Sequence, residues 1–169
     1  IHKSRKTFIR EFVPIFDKFY QDISSNKEEV NLNHHSSLYE NSMKELFIRN
    51  RTKDQLIGHT STGIHRDDFL FSIGGNQLKK FGSQGQQKSY LIALKLAQFE
   101  FIKQQAQVTP ILLLDDIFDK LDENRVLHII QLVNNDEFGQ IFITDTHIER
   151  TENILKKGSK AYQIFKLDS

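Results

Sequence analysis

The chain has 169 residues, 38% hydrophobic and 27% charged, which predicts one globular domain with a core, or one domain plus an appendage, and excludes a disordered chain. Its net charge of +1 gives no indication of nucleic-acid binding. A chain with this net charge can still carry a local basic patch that binds nucleic acid. The absence of cysteine excludes disulfides and thiolate chemistry. Without a signal peptide or an apolar run of about 18 residues, a cytoplasmic protein with no membrane contact is expected. Because the sequence begins with Ile1, it is expected to be a piece of a longer protein.

The first part of the chain predicts a helix and a strand. Apolar residues at helical spacing predict a helix over residues 5–24, in which Pro14 predicts a kink or a fresh helix start. Alternation predicts a half-buried strand over residues 30–36. His34 and His35 would point to opposite faces of this strand, so they cannot share a metal ion.

The next part predicts a helix and a hairpin. An amphipathic pattern predicts a helix over residues 38–57, and the charged run 65–68 leads into a strand over 69–73. The charged run is expected to be extended, with a surface ion pair as its simplest role. The Gly-Gly-Asn sequence at 74–76 predicts a hairpin turn, followed by a strand over 77–81.

A segment rich in Ser, Gly and Gln, residues 82–88, opens a long predicted helix that ends near residue 106. Ser83 is a candidate N-cap, and Gly82 and Gly85 leave the N–H groups of the first turn unobstructed. Such a helix start binds anions, although an ordinary capped helix explains the same residues. The buried face of the helix is expected to comprise Leu91, Leu94, Ala97, Phe101 and Ile102.

The apolar run 111–114 ends in two acids, Asp115 and Asp116. An unbroken apolar run predicts a strand buried on both faces of a parallel sheet, and ligands bind at the carboxyl ends of such strands. One acid could hold Mg²⁺ and the other could orient or deprotonate a water molecule. The plain alternative is a core strand that ends in a solvated turn, with Asp116 or Asp119 capping the next helix.

Four elements are predicted after the two acids. They are a helix over residues 122–133, a buried-type strand over 140–144, a helix ending near Lys157 and a last strand over 161–167. His147 follows the strand over 140–144 directly.

In this order the segments resemble the C-terminal half of an ABC-type ATPase head. Residues 82–88 resemble the signature motif, residues 111–116 resemble Walker B, residues 119–122 resemble the D-loop, and His147 resembles the switch histidine. The resemblance implies an α/β fold in which a parallel-sheet core carries the Walker B strand and a helical lobe carries the signature motif.

The variants of these motifs resemble the RecF family, which is related to SMC proteins. The Ser-Gln-Gly-Gln-Gln form, the Gly-Ile-His-Arg-Asp-Asp segment and the Leu-Leu-Leu-Asp-Asp segment carry this resemblance. Ile64 departs from the Pro usual in the family, and Asp116 departs from the Glu of transporter heads. The resemblance implies a signature lobe over residues 1–106, with short strands near 30–36 and 69–81, and part of the ATPase core over 107–169. No Walker A motif occurs, so a C-terminal fragment is expected.

By this resemblance, two subunits would sandwich ATP between them. Asp122 would report the partner's nucleotide across the dimer. The signature residues that would contact the partner's nucleotide are Ser83, Gln84, Gly85 and Gln86.

The resemblance also assigns roles in hydrolysis. Asp115 would hold Mg²⁺ through water, and Asp116 would position or activate the attacking water. An Asp in place of Glu would suit slow hydrolysis. His147 would hydrogen-bond the γ-phosphate, but Thr144 and Asp145 could occupy the same place.

The resemblance finally implies partners. The full-length protein would form a homodimer on ATP, bind double-stranded DNA at gaps or single/double-strand junctions, and act with RecO, RecR and RecA in repair, replication and the SOS response. Lys79, Lys80 and Lys88 are candidates for phosphate contacts, with a solvated cluster as the alternative. Two other functions stay open: another ABC- or SMC-type head, chromosome-structural or transporter, and a non-hydrolysing DNA-binding scaffold. The 169 residues alone are expected to be inactive.

Overall fold

The computed structural model describes residues 1–116, 118–135, 137–146, 148–158 and 161–166, without the side chains of 148–150, 154 and 158. The α-helices among these residues are α1 His2–Ser24, α2 Met43–Ile57, α3 Leu78–Phe81, α4 Gln84–Ala106, α5 Glu123–Val133 and α6 Ile148–Gly158. The strands are β1 Val30–His35, β2 Asp68–Ile73, β3 Asn76–Gln77, β4 Leu112–Leu114 and β5 Ile141–Ile143. Two short 3₁₀ helices cover Ser37–Tyr39 and Ile64–Arg66.

Helix α1 packs its aromatic stripe against α4 and is continuous. The rings of Phe16 and Tyr90 lie 4.6 Å apart between centroids, and both side chains are buried. No new helix begins at Pro14, so that part of the prediction is wrong. Buried aromatic residues on both sides of the proline, Phe12 and Phe16 among them, hold the helix against the core despite the lost hydrogen bond.

Strands β1, β2 and β3 form an antiparallel sheet in which β2 is central. Burial alternates along β1, so His34 is buried and His35 is exposed, as predicted. The predicted strand over 77–81 is wrong, because β3 ends at Gln77 and α3 follows it. Leu78 is buried, and its carbonyl accepts the Gly82 N–H at 2.9 Å, which closes a helical turn.

Helix α2 begins at Met43, five residues later than predicted for the helix over 38–57 (43 − 38 = 5). A capping box fixes this start: the Ser42 side chain accepts the Glu45 N–H, and the Glu45 carboxylate accepts the Ser42 N–H. Leu46 is the buried residue of α2, and the rest of the helix is largely exposed.

One residue of the charged run before β2, Asp67, places a buried carboxylate in an ion pair with the partly exposed Arg5. Residues Ile64–Arg66 form a 3₁₀ helix, and the side chain of Asp67 is only 2% exposed. Arg5 Nη1 donates to Asp67 Oδ2 at 2.8 Å. Burial raises the pKa of Asp67, but hydrogen bonds from Ser36 and Arg5 outweigh it, so the pKa lies below its ordinary value. The extended prediction is therefore wrong for residues 65 and 66, and the surface position is wrong for Asp67, which ties the start of α1 to the segment before β2.

Strands β4 and β5 are parallel, with Leu112 opposite Ile141 and Leu114 opposite Ile143. The sheet buries Leu112 and Leu114 on one side, whereas Leu113 is 69% exposed. The prediction that this apolar strand is buried on both faces is therefore wrong within the described structure. The core on the buried side includes residues of α1, α4 and α5, so it extends across the predicted boundary at residue 106. The division into two lobes stays a prediction.

Two further predictions need correction. Leu91 and Ile102 of α4 are 50% and 42% exposed, so they do not belong to its buried face. That face comprises Ser89, Tyr90, Ile92, Ala93, Leu96, Ala97 and Phe99. Of the last predicted strand, residues 161–166 are described and form no strand.

Within the described residues, no helix has both the length and the apolar character needed to cross a bilayer.

Candidate functional site

The carboxyl ends of β4 and β5 bring two polar segments together. The Thr144 N–H donates to the Leu114 carbonyl at 3.0 Å, and the Asp116 N–H donates to the Thr144 carbonyl at 3.1 Å. This ladder places Asp115 beside Thr144, whose hydroxyl donates to Asp115 Oδ1. Both acids of the pair 115–116 are exposed, so their carboxylates lie at a solvated sheet edge where α/β proteins bind ligands.

The chain reverses direction directly after this edge. Asp116 and Lys120 adopt left-handed backbone conformations, with φ of 48° and 62°. This conformation is tolerated by Asp and is less favourable for Lys. The carbonyl of Asp116 accepts a 2.8 Å hydrogen bond from Lys88 Nζ of α4. The reversal is thus attached to the first turns of the long helix.

The start of α4 is closed by a reciprocal capping box. The Ser83 hydroxyl accepts the Gln86 N–H at 3.2 Å, and the Gln86 side chain accepts the Ser83 N–H at 2.8 Å. A hydroxyl that accepts a hydrogen bond retains its own hydrogen for donation. Ser83 and Gln84 are exposed at this positive end of the helix dipole. The predicted N-cap is confirmed, and the helix start is chemically suited to an anion.

Both glycines of this segment make close backbone contacts, and the contact at Gly82 is the tighter one. A Cβ at Gly85 would lie 3.1 Å from the Lys120 carbonyl oxygen, and one at Gly82 would lie 2.7 Å from the Leu78 carbonyl oxygen. Gly85 therefore lets the helix start approach the segment 119–122. This contact and the Lys88–Asp116 hydrogen bond bring the predicted signature motif close to the predicted Walker B and D-loop segments.

Asp122 begins the next helix. Its carboxylate accepts the Arg125 N–H at 3.0 Å, which caps α5, and also lies 3.2 Å from Arg125 Nε. The side chain of Asp122 is 59% exposed. It is therefore held from within the chain at a surface position.

A half-buried ion pair joins these segments, and the sequence patterns did not predict it. Arg125 Nη2 donates to Glu28 Oε1 at 2.8 Å, and Arg125 Nη1 donates to the buried Ser89 hydroxyl at 2.8 Å. Glu28 Oε1 also accepts from Gln86 Nε2 at 2.9 Å, and Glu28 Oε2 accepts from Tyr20 OH at 2.6 Å.

Burial raises the pKa of the Glu28 carboxyl, but the hydrogen bonds from Arg125, Tyr20 and Gln86 outweigh it and leave the pKa below its ordinary value. Glu28 is therefore charged at neutral pH. Arg125 follows Asp122 at a spacing typical of a helical ion pair, and that spacing was the one signal for it. Nothing in the sequence pointed to Glu28.

The structure describes only some of the predicted switch residues and all of the basic candidates for phosphate contacts. His147 lies outside the described residues. Of the alternative switch residues, Thr144 contacts Asp115, and Asp145 accepts a hydrogen bond from the Thr151 hydroxyl. Among the basic candidates, Lys79 and Lys80 are exposed on α3, whereas Lys88 is occupied by its bond to Asp116.

The carboxylates fit a magnesium site that is completed by other ligands. Within the described residues, no cluster of three or more His, Cys, Asp or Glu side chains could hold a metal ion. Mg²⁺ is usually held by one or two carboxylates, water and substrate phosphates. Asp115 is exposed and has one oxygen engaged by Thr144, so it fits such a partial site.

Comparisons with known proteins identify the family. No protein-family model matches the chain. The chain is 54% identical over 167 residues to the DNA replication and repair protein RecF of Flavobacterium johnsoniae, and these cover 99% of the chain and 46% of that protein. It is 48% identical over 168 residues to the protein of the same name from Bacteroides thetaiotaomicron, covering 99% of the chain and 46% of that protein.

Solved structures agree with these relatives. The recombination mediator protein RecF-ATP in the RecFOR pathway matches with a TM-score of 0.69 and 26% identity, over 86% of this chain and 42% of that chain. RecF-ATPrS of the same pathway matches with a TM-score of 0.66 and 25% identity, over 87% of this chain and 41% of that chain. The α/β fold with a parallel sheet matches those of these RecF structures. The chain thus spans about half the length of its curated relatives, and over that span it belongs to the RecF family.

Proposed function

We propose that this chain forms part of an ATP-dependent DNA-binding protein of DNA repair and replication. The extended protein is defined here as a polypeptide that contains this chain and has the length of its curated relatives. The proposal is carried by one observation: the capped start of α4 lies against the turns that follow β4, with Lys88 bonded to the Asp116 carbonyl. An anion-binding helix start and two exposed carboxylates thereby lie within one region of the surface.

In this proposal, ATP holds two copies of the extended protein together. The exposed Ser83 and Gln84 would contact the triphosphate bound by the partner subunit, together with the backbone of Gly85 and Gln86. The reciprocal cap supports this role, because it orients the Ser83 hydroxyl without using its hydrogen. Asp122 would contact the partner across the dimer, which its exposed position allows.

The carboxylates at the end of β4 would serve hydrolysis. Asp115 would hold Mg²⁺, which supplies charge stabilisation to the phosphates when it is bound. Asp116 would orient the attacking water or accept its proton. His147 would contact the γ-phosphate, with Thr144 or Asp145 as the alternative. The exposure of both acids supports these roles, and the shorter reach of Asp than of Glu suits slow turnover.

The proposed cellular role combines the names of the relatives, which give DNA replication and repair and the RecFOR pathway, with what the motif resemblance implies. The extended protein would bind double-stranded DNA at gaps or junctions in the cytoplasm, and would act with RecO, RecR and RecA. Residues 1–106 would form the signature lobe and residues 107–169 part of the ATPase core. No Walker A motif occurs among the 169 residues, so this chain alone would not hydrolyse ATP.

The test is phosphate release by the extended protein. Asp116→Asn keeps the side-chain size and tolerates the left-handed backbone at this position. We expect this variant to dimerise with ATP and Mg²⁺ but to release phosphate at least about a hundredfold more slowly. The control is Asp22→Asn on the exposed side of α1, which should release phosphate normally. Equal phosphate release by both variants would remove Asp116 from the mechanism and favour a non-hydrolysing scaffold.

A further inference from the structure

Glu28 lies outside every motif discussed above, yet it joins three separate parts of the chain. Its carboxylate accepts hydrogen bonds from Tyr20 of α1, Gln86 of α4 and Arg125 of α5. Its backbone carbonyl accepts a further bond from Gln21 Nε2 at 3.0 Å. The residue is therefore fixed on its own side by α1, and it presents one carboxylate oxygen to both Gln86 and Arg125.

The two donors to Glu28 Oε1 belong to the two segments proposed to meet the partner's nucleotide. Gln86 is the capping partner of Ser83, and Arg125 contacts the carboxylate of Asp122 through its backbone N–H and its Nε. A displacement of Glu28 or Arg125 would thus move Ser83 and Asp122 relative to each other. Arg125 also donates to the fully buried Ser89 hydroxyl one turn further along α4, which fixes the plane of its guanidinium.

The burial of the pair makes this arrangement stiff. The side chains of Glu28 and Arg125 are 16% and 18% exposed, so solvent screens their interaction only partly. A guanidinium that uses all three of its nitrogens has one orientation, which a lysine at this position would not reproduce.

We infer that Glu28 and Arg125 are positioning residues that hold the Ser83 cap and Asp122 at a fixed separation within one subunit. The inference rests on the proposed function, because it assumes that both groups act on a nucleotide bound by the partner. Neither residue is among those proposed to contact the nucleotide. Their loss should weaken ATP-driven dimerisation while each subunit keeps its own affinity for ATP.

The experiment compares Glu28→Gln and Arg125→Lys in the extended protein with a matched control, Arg5→Lys. Arg5 makes a bond of the same length, 2.8 Å, to the buried Asp67, and neither residue contacts α4 or α5 in the described hydrogen bonds. Two quantities are measured: the dissociation constant of the monomer for a fluorescent ATP analogue, and the dissociation constant of the ATP-bound dimer by sedimentation.

We expect Glu28→Gln and Arg125→Lys to bind the analogue as wild type does and to weaken the dimer about tenfold, corresponding to one lost charge-assisted bond. Arg5→Lys should leave the dimer unchanged. Glu28→Gln carries the test if Arg125→Lys does not fold, since glutamine preserves the size of the side chain. Dimerisation of Glu28→Gln at the wild-type level, or an equal loss in Arg5→Lys, overturns the inference.

A Ser83→Arg variant separates this inference from the proposed function. If Ser83→Arg abolishes the dimer and Glu28→Gln does not weaken it, the positioning role alone is wrong. If Ser83→Arg dimerises as wild type does, the proposed function is wrong and the positioning role falls with it.

Discussion

The Lys88 ammonium donates a 2.8 Å hydrogen bond to the backbone carbonyl of Asp116, across 28 residues of sequence. This bond joins the second turn of α4 to the left-handed residue that follows β4. This hydrogen bond therefore links the start of α4 to the segment that carries the exposed carboxylates of Asp115 and Asp116.

Replacing Lys88 by Met should slow ATP hydrolysis by the extended protein about tenfold or more. Methionine keeps the apolar stem but cannot donate to Asp116, so the turn that carries this acid loses its attachment to α4. The measurement is steady-state phosphate release. Lys103→Met is the control, because Lys103 donates in the same way to the Glu137 carbonyl at 3.0 Å near the other end of α4. Each variant should lose about 1 kcal/mol of stability. Equal effects on phosphate release would contradict the coupling.

Gly85→Ala should disturb function more than stability. The new Cβ would press on the Lys120 carbonyl at 3.1 Å, and the exposed turn around Lys120 can yield by a few tenths of an ångström. Alanine favours a helix over glycine by about 1 kcal/mol, which offsets this strain. We expect an unfolding free energy within about 1 kcal/mol of wild type and a weaker ATP-driven dimer.

The control for this variant is Gln98→Ala on the exposed face of α4, measured by urea denaturation and sedimentation. It should change neither quantity. An undisturbed dimer in Gly85→Ala would show that the close approach to segment 119–122 is incidental.

Glu28→Gln should lower the free energy of unfolding at neutral pH by about 1–3 kcal/mol, since the hydrogen bond from the Arg125 guanidinium loses its charged acceptor. The folded-state pKa of Glu28 lies below its ordinary value of 4.5, so its stabilisation is complete above that pH and is lost as pH falls through the folded pKa. The difference between the unfolding free energies of the two proteins should therefore be largest near neutral pH and should shrink as the pH falls below 4.5. A constant difference across this range would show that the charge of Glu28 contributes nothing.

Local features of the site could be predicted from the sequence. Ser83 caps the helix that follows it, as predicted, because a cap depends on a side chain and a backbone N–H only three residues apart. The cap of α5 is Asp122, so the alternative in which Asp116 or Asp119 caps this helix is wrong. The positions of β1, β2, β4 and β5 also follow from local patterns of apolar residues, whereas the antiparallel pairing of β1 with β2 was not predicted.

Features that depend on distant partners could not be predicted. The buried Asp67 is paired with Arg5, which lies 62 residues away in the sequence. Glu28 is paired with Arg125, which lies 97 residues away. The buried face of α4 was misplaced for a related reason. Apolar residues surround much of this helix, so its periodicity did not determine which of them face α1.

The central claim is that the capped start of α4 closes on ATP bound by a second subunit. The most direct measurement is light scattering by the extended protein with and without ATP and Mg²⁺, comparing wild type with Ser83→Arg. We predict that ATP drives wild type to a dimer and that the bulky, charged substitution abolishes this response. An extended protein that ignores ATP, or a Ser83→Arg variant that dimerises as wild type does, would contradict the account and leave this segment as an ordinary capped helix.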